Sequence, residues 1–234
     1  MIPFSAGAVP PTIYSPPRDC GLDLIYCDDS LLIVNKPAGL LSVPGRGMDK
    51  MDSMTTRVRN EFPDARSVHR LDMSTSGLLL FAWGENMHRL ISRLFSERKI
   101  HKNYIALVAG RIGTNGEVNL PLGADWPNRP RQKVDFTLGK PALTRYRLLE
   151  NPACLSIYQR DPDFAVSRIE LEPVTGRTHQ LRLHMAAIGH PILGDVLYGE
   201  NPRAAERLML HARVLSFTHP LSGTPLSLIC EPPF

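Results

Sequence analysis

The sequence predicts a mixed α/β (α+β) fold, with one domain built on an extended, mostly antiparallel sheet and few helices. Short β-favouring runs recur along the 234 residues, separated by Gly, Pro, Asn and Asp. Helical periodicity is clear in few segments, and no repeat or linker divides the chain. We expect the proline-rich residues 1–21 to form an irregular arm and residues 22–234 to form the domain.

The first predicted elements are a hairpin, a helix and a buried strand. Residues 24–27 and 31–35 favour β-structure, and polar turn residues join them. Asp52 or Ser53 is suited to cap a helix whose apolar residues repeat every fourth position, and Pro63 ends it. The apolar run 78–82 has the length of a buried strand.

The middle of the chain contains its clearest helical pattern. Between residues 86 and 99, apolar residues follow the spacing i, i+3, i+4, i+7 and i+8: Met87, Leu90, Ile91, Leu94 and Phe95. A strand over residues 102–109 follows. Residues 110–139 are predicted to be rich in loops, since Gly, Pro and Asn are frequent there.

The last part of the chain predicts strands, a helix and a closing hairpin. Strands are expected over residues 142–149, 154–158 and 165–171. Residues 175–178 open a helix with Leu181, Met185 and Ile188 on one face, and Gly189 and Pro191 end it. A second short helix is expected over 201–208, and the runs 214–217 and 226–229 predict a hairpin.

Composition restricts the class of protein. Hydrophobic residues make up 43% of the chain and charged residues 21%, as in ordinary globular proteins. No apolar run approaches the ~18 residues of a membrane-spanning helix. The N-terminus lacks the cationic and apolar regions of a signal peptide. We therefore expect a cytoplasmic protein with no membrane partner.

The cysteines and histidines predict no metal site. The four cysteines show no paired spacing and are expected to be reduced thiols packed as small apolar groups: Cys20, Cys27, Cys154 and Cys230. His179 and His184 lack the i, i+4 spacing of a helical zinc pair, and His190 follows them. These histidines are expected to be structural or to face RNA.

The charge of the chain suits an anionic partner. The net charge is +4, and basic residues cluster around residues 66–70, 89–102 and 129–140. Arginine and lysine bind phosphate backbones, which favours RNA. Solvated helix faces and loop charges explain the same clusters equally well.

The segment His69-Arg70-Leu71-Asp72, followed by Thr75-Ser76-Gly77, leads into the predicted buried strand. A carboxylate beside an arginine at the mouth of such a strand is suited to chemistry. An aspartate before a Ser-Thr-Ser-Gly turn is also a common turn-stabilising residue. Residue types alone leave both interpretations open.

This segment resembles the central motif of the RluA family of RNA pseudouridine synthases. Three more segments resemble that family's motifs in the same order, namely 35–41, 176–182 and 189–195. The loop 125–130 and the chain length resemble the RluA branch, whose members lack an added N-terminal RNA-binding module. Residues 1–21 leave no room for one. The resemblance implies the catalytic fold of the pseudouridine synthases.

The resemblance also implies the reaction and its residues. The family breaks the bond between uracil and C1′ of the ribose, rotates the base and rejoins it through C5, without a cofactor. Asp72 would be the catalytic carboxylate and Arg182 the arginine that pairs with it. Tyr104 would stack on the uracil and serve in proton transfer at C5. Without the resemblance, Arg182 equally suits a helix surface and Tyr104 suits core packing.

Other residues are implied to bind the RNA. A uridine in a folded loop must leave its stack before its C1′–N1 bond is accessible, at a cost of a few kcal/mol. By resemblance, Arg70 inserts into the RNA and holds the base out. His69 either contacts the same region or is a hydrogen-bonded structural histidine. Leu183 is expected to line the uracil pocket, and Trp126 either stacks on a base or anchors its loop.

The implied partners are structured RNAs, namely a tRNA anticodon stem-loop and a hairpin loop of large-subunit (23S) rRNA. The protein is expected to be a monomer, since no heptad pattern suggests assembly. One rival function is a nucleoside hydrolase, which usually needs two carboxylates; no second acid is expected beside Asp72. The other rival is a non-catalytic RNA-binding module that retains the fold.

Overall fold

The computed structural model describes residues 14–149, 165–199, 201 and 205–234. Twelve strands lie in these residues: β1 (Leu24–Cys27), β2 (Leu31–Lys36), β3 (Ala65–Ser67), β4 (Ser76–Trp83), β5 (His101–Ala109), β6 (Asn115–Asn119), β7 (Leu122–Ala124), β8 (Gln132–Val134), β9 (Leu143–Leu148), β10 (Val166–Pro173), β11 (Leu210–Thr218) and β12 (Pro225–Ile229). The helices are α1 (Met54–Glu61), α2 (Gly84–Ser96) and α3 (Gln180–Ala187), and short 3-10 helices cover Met48–Lys50 and Trp126–Asn128.

Ten of these strands form one sheet. The order is β1-β2-β4-β11-β5-β10-β9-β6, with β3 on β4 and β12 on β11, while β7 and β8 form a separate hairpin. Neighbouring strands are antiparallel except β4 and β11, which run parallel. The predicted mixed fold with a mostly antiparallel sheet is confirmed.

The parallel contact between β4 and β11 joins the two halves of the sheet. It is short, pairing Ser76 with His211 and Gly77 with Ala212. Gly77 has a φ of +108°, and a Cβ built there would lie 2.3 Å from the Ala212 carbonyl oxygen. Glycine is therefore required here both for its conformation and for the close approach of the two backbones.

Apolar side chains cover both faces of the central strands. Residues 76–82 of β4 are all buried, as a strand covered on both sides requires. The apolar stripe of α2 packs on one face, with Met87 and Ile91 buried among residues of β2 and β4. Residues from α1 and from the loop before β4 pack on the other face, where Met54, Val58 and Leu71 are buried.

Most predicted elements are present with bounds shifted by a few residues. Ser53 is the N-cap of α1, where its Oγ accepts a hydrogen bond from the Thr56 N–H at 3.1 Å. Gly189 follows α3 with a φ of +85°, as predicted for a helix end. The opening hairpin β1–β2 and the closing hairpin β11–β12 are both confirmed.

Some predictions fail. Residues 110–139, expected to be rich in loops, also contain the short strands β6, β7 and β8, which were not predicted; Asn and Gly in β6 and Gly in β7 disfavour strands in isolation. Residues 205–208 are not helical, so the helix expected over 201–208 is wrong in its described part. The strand expected over 154–158 lies outside the described residues. Cys20 and Cys27 are exposed rather than packed, whereas Cys230 is buried.

Residues 14–21 are irregular and lie along the loop before α1. The Leu41 N–H donates to Tyr14 Oη at 3.1 Å, and that hydroxyl donates to the Asp52 carbonyl at 2.9 Å. Arg57 Nη2 donates to the Pro17 carbonyl at 2.6 Å. In the described parts of the chain, no helix is long and apolar enough to cross a membrane.

Candidate active site

A cavity of about 340 Å³ opens where the chain enters β4. The segments 69–72 and 175–182 line it, together with Tyr104 of β5. The sheet thus brings three of the predicted site residues into one cavity: Asp72, Tyr104 and Arg182. They come from both sides of the parallel β4–β11 contact.

The loop after β2 fixes the backbone on both sides of Asp72. Before it, the Leu71 N–H donates to Ser42 Oγ at 3.0 Å, and that hydroxyl donates to the Leu71 carbonyl at 2.8 Å. After it, the Met73 carbonyl accepts from the Gly39 N–H at 2.8 Å. The carboxylate itself remains 22% exposed toward the cavity.

Lys36 completes this support from inside the protein. Its side chain is fully buried, and Nζ donates to the carbonyls of Pro37, Leu40 and Met73 at 2.7–3.1 Å. Burial lowers the pKa of Lys36 to about 7, and the charge of Asp72 acts in the opposite direction. No role was predicted for this lysine from the sequence, although it lies in the matched segment 35–41 and ends the largely apolar strand β2.

Arg182 lies between two carboxylates. Its Nη1 is 3.5 Å from Asp72 Oδ2, while Nε and Nη2 each donate to Asp195 at 2.7 Å. Burial lowers the pKa of Arg182, but the hydrogen bonds and charge of Asp195 and the charge of Asp72 outweigh it, so the pKa is raised. The guanidinium is 4% exposed, which excludes the helix-surface interpretation.

Asp195 is the second acid that sequence analysis did not expect, although it ends the matched segment 189–195. The expectation that no acid accompanies Asp72 is wrong in this sense. The Asp195 side chain is fully buried and binds Arg182 in a bidentate manner. It therefore orients the guanidinium instead of forming the exposed carboxylate pair that a glycoside-hydrolysing site uses.

His179 stands at the other oxygen of Asp72. Its Nε2 is 3.9 Å from Asp72 Oδ1, and its Nδ1 is 2.8 Å from Tyr198 Oη. Its backbone is left-handed, with a φ of +53°, immediately before α3. Burial lowers the pKa of His179, the charge of Asp72 opposes this, and Arg182 lowers it further. Sequence analysis placed His179 in a matched segment but gave it only a structural or RNA-facing role.

Tyr104 contributes an aromatic wall. Its ring packs against two core clusters, one of which includes Leu181 and the other Leu71. Burial and the nearby charge of Asp72 both raise the pKa of the Tyr104 hydroxyl, so it is protonated at neutral pH. An uncharged ring at the cavity wall is suited to stack on a nucleobase.

Arg70 and His69 have different surroundings. Arg70 is exposed and lines the cavity mouth. His69 accepts a hydrogen bond from the Leu80 N–H at 3.0 Å, and its ring lies 4.9 Å from the Phe95 ring. Burial lowers the pKa of His69 to about 3. Its Nε2 is thus occupied within the protein, which favours the structural interpretation.

Leu183 lies in a packing cluster with Leu122, Ala142 and Tyr198. The apolar residues that line the cavity are others, among them Leu71, Leu181 and Leu210. On α3, residues 181 and 182 face the cavity while residue 183 faces the β7–β8 side, as the helical period requires.

The β7–β8 hairpin carries exposed aromatic and basic residues. Trp126 is 66% exposed, and the Arg129 guanidinium lies 3.5 Å from the centre of its ring. Arg131 and Lys133 follow on the same hairpin. Among the described residues, no group of three or more His, Cys, Asp and Glu residues is suited to hold a metal ion.

Comparison with known proteins gives a consistent set of relatives. The family model described as RNA pseudouridylate synthase matches residues 30–187. A protein of Yersinia pestis named Dual-specificity RNA pseudouridine synthase RluA is 49% identical over 214 residues, which cover 90% of this chain and 99% of that protein. A protein of the same name from Escherichia coli (strain K12) is 47% identical over 218 residues, covering 92% and 94%.

Solved structures that resemble this chain are also described as RNA pseudouridylate synthases. The human protein described as RNA Pseudouridylate Synthase Domain Containing 1 has a TM-score of 0.76 and 32% identity, covering 94% of this chain and 87% of that one. Human RNA Pseudouridylate Synthase Domain Containing 4, at 23% identity and a TM-score of 0.68 over 90% and 88% of the two chains, shares the fold.

Proposed function

This chain belongs to the RNA pseudouridylate synthase family and is therefore an isomerase of uridine in RNA; from this premise we propose which RNAs it modifies and which residues act. The RNAs proposed are a hairpin loop of large-subunit rRNA and the anticodon stem-loop of tRNA. The name of the relatives, which are dual-specificity enzymes, supports two RNA classes, and the chain spans 99% and 94% of the two described above.

Asp72 is the proposed catalytic carboxylate. The observation that carries this assignment is its position in a cavity of about 340 Å³, with one oxygen facing Arg182 at 3.5 Å and the other facing His179 at 3.9 Å. Attack on the sugar, attack on the base and removal of a ribose proton all require an ionised carboxylate. The buried guanidinium of Arg182 lies beside this carboxylate and carries the opposite charge.

Tyr104 is the proposed stacking partner of the uracil. During the reaction N1 gains a bond to hydrogen and C5 loses one, so a proton acceptor must act at C5. Because the Tyr104 hydroxyl is protonated, it passes that proton on only if a base accepts its own. The Asp72 carboxylate, which lines the same cavity, is the proposed base.

The cavity mouth and the β7–β8 hairpin are the proposed RNA contacts. Arg70 and Arg177 are exposed at the mouth, and the Trp126–Arg129 stack is exposed on the hairpin. Cationic side chains bind phosphates, and aromatic or guanidinium planes stack on unpaired bases. Arg70 is the residue proposed to hold the uridine out of its loop, because it directly precedes the segment that carries Asp72.

We also propose that residues 22–234 act as one catalytic domain, as a monomer and in the cytoplasm. Asp72, Tyr104 and Arg182 all belong to the same chain and meet in a single cavity, so a second copy is not needed to complete the site.

The test uses the two stem-loops transcribed with tritium at C5 of uridine. Isomerisation releases tritium to water, and free uracil is measured in the same samples. We expect tritium release from both RNAs with no free uracil, and a loss of at least about a thousandfold in Asp72→Asn. Asp29→Asn, an exposed hairpin aspartate, is the matched control and retains full activity.

Each alternative has its own outcome. Free uracil in stoichiometric amounts would identify a nucleoside hydrolase. RNA binding with neither product, and with no difference between Asp72→Asn and the unmodified protein, would identify a non-catalytic binding module. Activity on other uridines only would overturn the assigned RNAs while leaving the isomerase.

A further inference from the structure

The hydroxyl of Tyr198 links the β7–β8 hairpin to the candidate active site. It accepts a hydrogen bond from the Gln132 N–H at 2.8 Å, and it lies 2.8 Å from Nδ1 of His179. On its opposite side, the His179 ring presents Nε2 to Asp72 Oδ1. Two side chains, Tyr198 and His179, thus connect the first residue of β8 with the carboxylate.

The hydrogen bond from Gln132 uses an acceptor position of the Tyr198 hydroxyl and leaves the hydroxyl proton for a second partner. A backbone N–H only donates, so Tyr198 Oη is the acceptor toward Gln132. The hydroxyl has one proton, and in the part of the chain that the structure describes the acceptor within reach is His179 Nδ1. A neutral imidazole that accepts at Nδ1 carries its own proton on Nε2, the atom that faces Asp72.

The neutral form is the one that these surroundings favour. Burial lowers the pKa of His179, and the charges of Arg182 and Arg70 lower it further. The charges of Asp72 and Asp195 raise this pKa, but the net shift is downward. His179 is therefore an uncharged donor at physiological pH. The distance of 3.9 Å from Nε2 to Oδ1 is long for a hydrogen bond, as is frequent in catalytic sites without substrate.

The same short segment orients the other partner of Asp72. Asp195 lies three residues before Tyr198, and its Oδ1 accepts from the Leu197 and Tyr198 N–H groups at 2.9 and 3.1 Å. Asp195 in turn holds Arg182 against Asp72 Oδ2. Residues 195–198 thereby control the groups at both oxygens of the carboxylate.

We propose that Tyr198 is a positioning residue for the reaction, because its hydroxyl fixes the tautomer and the orientation of His179 so that the Nε2–H group faces the Asp72 carboxylate. Asp72 is then held in one rotamer by two donors, Arg182 and His179, when the uridine enters. This proposal rests on the assignment of Asp72 as the catalytic carboxylate.

The first test compares Tyr198→Phe with Tyr26→Phe. Tyr26 is a matched control because its hydroxyl also makes a hydrogen bond, to Asp28 at 2.6 Å, on the edge strand β1. Tyr198→Phe is expected to lower kcat about tenfold, the effect of losing one hydrogen bond, with KM for the RNA nearly unchanged. Tyr26→Phe leaves both constants unchanged.

The second test compares His179→Gln with His179→Asn, whose side-chain amides reach different positions in the site. His179→Gln can present an amide N–H at the position of Nε2, whereas His179→Asn cannot reach it. We expect His179→Gln to retain more of kcat than His179→Asn. The double variant of Tyr198→Phe with His179→Asn should be no slower than His179→Asn alone, because Tyr198 acts through His179.

A spectroscopic readout tests the tautomer itself. In protein labelled with ¹⁵N-histidine, His179 is expected to show a protonated Nε2 and an unprotonated Nδ1, and Tyr198→Phe is expected to convert this into a tautomer mixture. A protonated Nδ1 in the unmodified protein, an unchanged kcat in Tyr198→Phe, a loss confined to KM or to stability, or additive losses in the double variant would each overturn the proposal. Loss of much less than about a thousandfold in Asp72→Asn would instead overturn the assignment on which it rests.

Discussion

Gly77→Ala should disrupt the parallel contact that joins the two halves of the sheet. The added Cβ would lie 2.3 Å from the Ala212 carbonyl oxygen and 2.6 Å from its nitrogen, whereas ordinary contacts begin at 3.4 Å. β4 and β11 must therefore separate by about 1 Å at this point. Alanine is also strained at the φ of +108° that Gly77 adopts.

The magnitude follows from these two effects. A non-glycine residue in this backbone region costs about 1–3 kcal/mol. Separating the strands loses close hydrogen bonds and packing, at about 1 kcal/mol for each bond. Together they lower the free energy of unfolding by about 3–5 kcal/mol, a large effect for one substitution. A shift of 1 Å between Asp72 and the residues across the contact should also lower kcat about a hundredfold.

Urea denaturation measures this loss, and Gly223→Ala is the control. Gly223 has a φ of +71° in the turn between β11 and β12, and no atom lies within 4 Å of a Cβ there. Its substitution is expected to cost about 1 kcal/mol, from backbone strain alone. If Gly77→Ala were no less stable than Gly223→Ala, the close approach of β4 and β11 would not limit this position, and the reasoning would be refuted.

Three more predictions follow from buried groups. Asp195→Asn should lower the free energy of unfolding by about 3–5 kcal/mol and reduce kcat, whereas Glu231→Gln, which breaks an exposed bidentate pair with Arg213, should cost under about 1 kcal/mol in urea titrations. Lys36→Met removes the Nζ donor from three carbonyls, of which that of Met73 keeps the Gly39 N–H, and should cost about 2–4 kcal/mol; equal stability would contradict the three hydrogen bonds of Lys36. Burial lowers the pKa of His211 to about 4, from about 6.5 when unfolded, so its stabilising effect is complete above pH 6.5 and is lost as the pH falls toward 4. By pH 5.5 this loss should reach about 1.4 kcal/mol, and His211→Gln should remove that part of the pH dependence.

The sequence predicted the elements whose pattern is local. The stripe of α2 and the cap of α1 depend on neighbouring residues, and both are confirmed. β6 could not be predicted, because its Asn- and Gly-containing residues become a strand through pairing with the distant β9. β7 and β8 have three residues each, too few to show the alternation that predicts a strand. The parallel contact of β4 with β11 joins residues 135 positions apart, as Ser76 and His211 show, and no local pattern encodes it.

The residues of the candidate site also divide into those that the sequence indicates and those that only the structure reveals. The resemblance to known motifs indicated Asp72, Tyr104 and Arg182, and the structure brings all three to one cavity. Asp195 ends the matched segment 189–195 and Tyr198 lies three residues beyond it, but their importance appears only when Arg182 and His179 are seen beside them. His69, in contrast, has a Leu80 N–H at its Nε2, a contact that sequence spacing does not reveal.

The place of β11 in the sheet determines when a newly made chain becomes an enzyme. β11 consists of residues 210–218, yet it lies between β4 and β5, which are made more than one hundred residues earlier. Until β11 has been synthesised, the strand that follows Asp72 and the strand that carries Tyr104 have no common neighbour to hold them in register. A nascent chain that lacks β11 therefore contains Asp72 and Tyr104 but does not hold them together in one cavity, and modification of RNA must wait until β11 has been made.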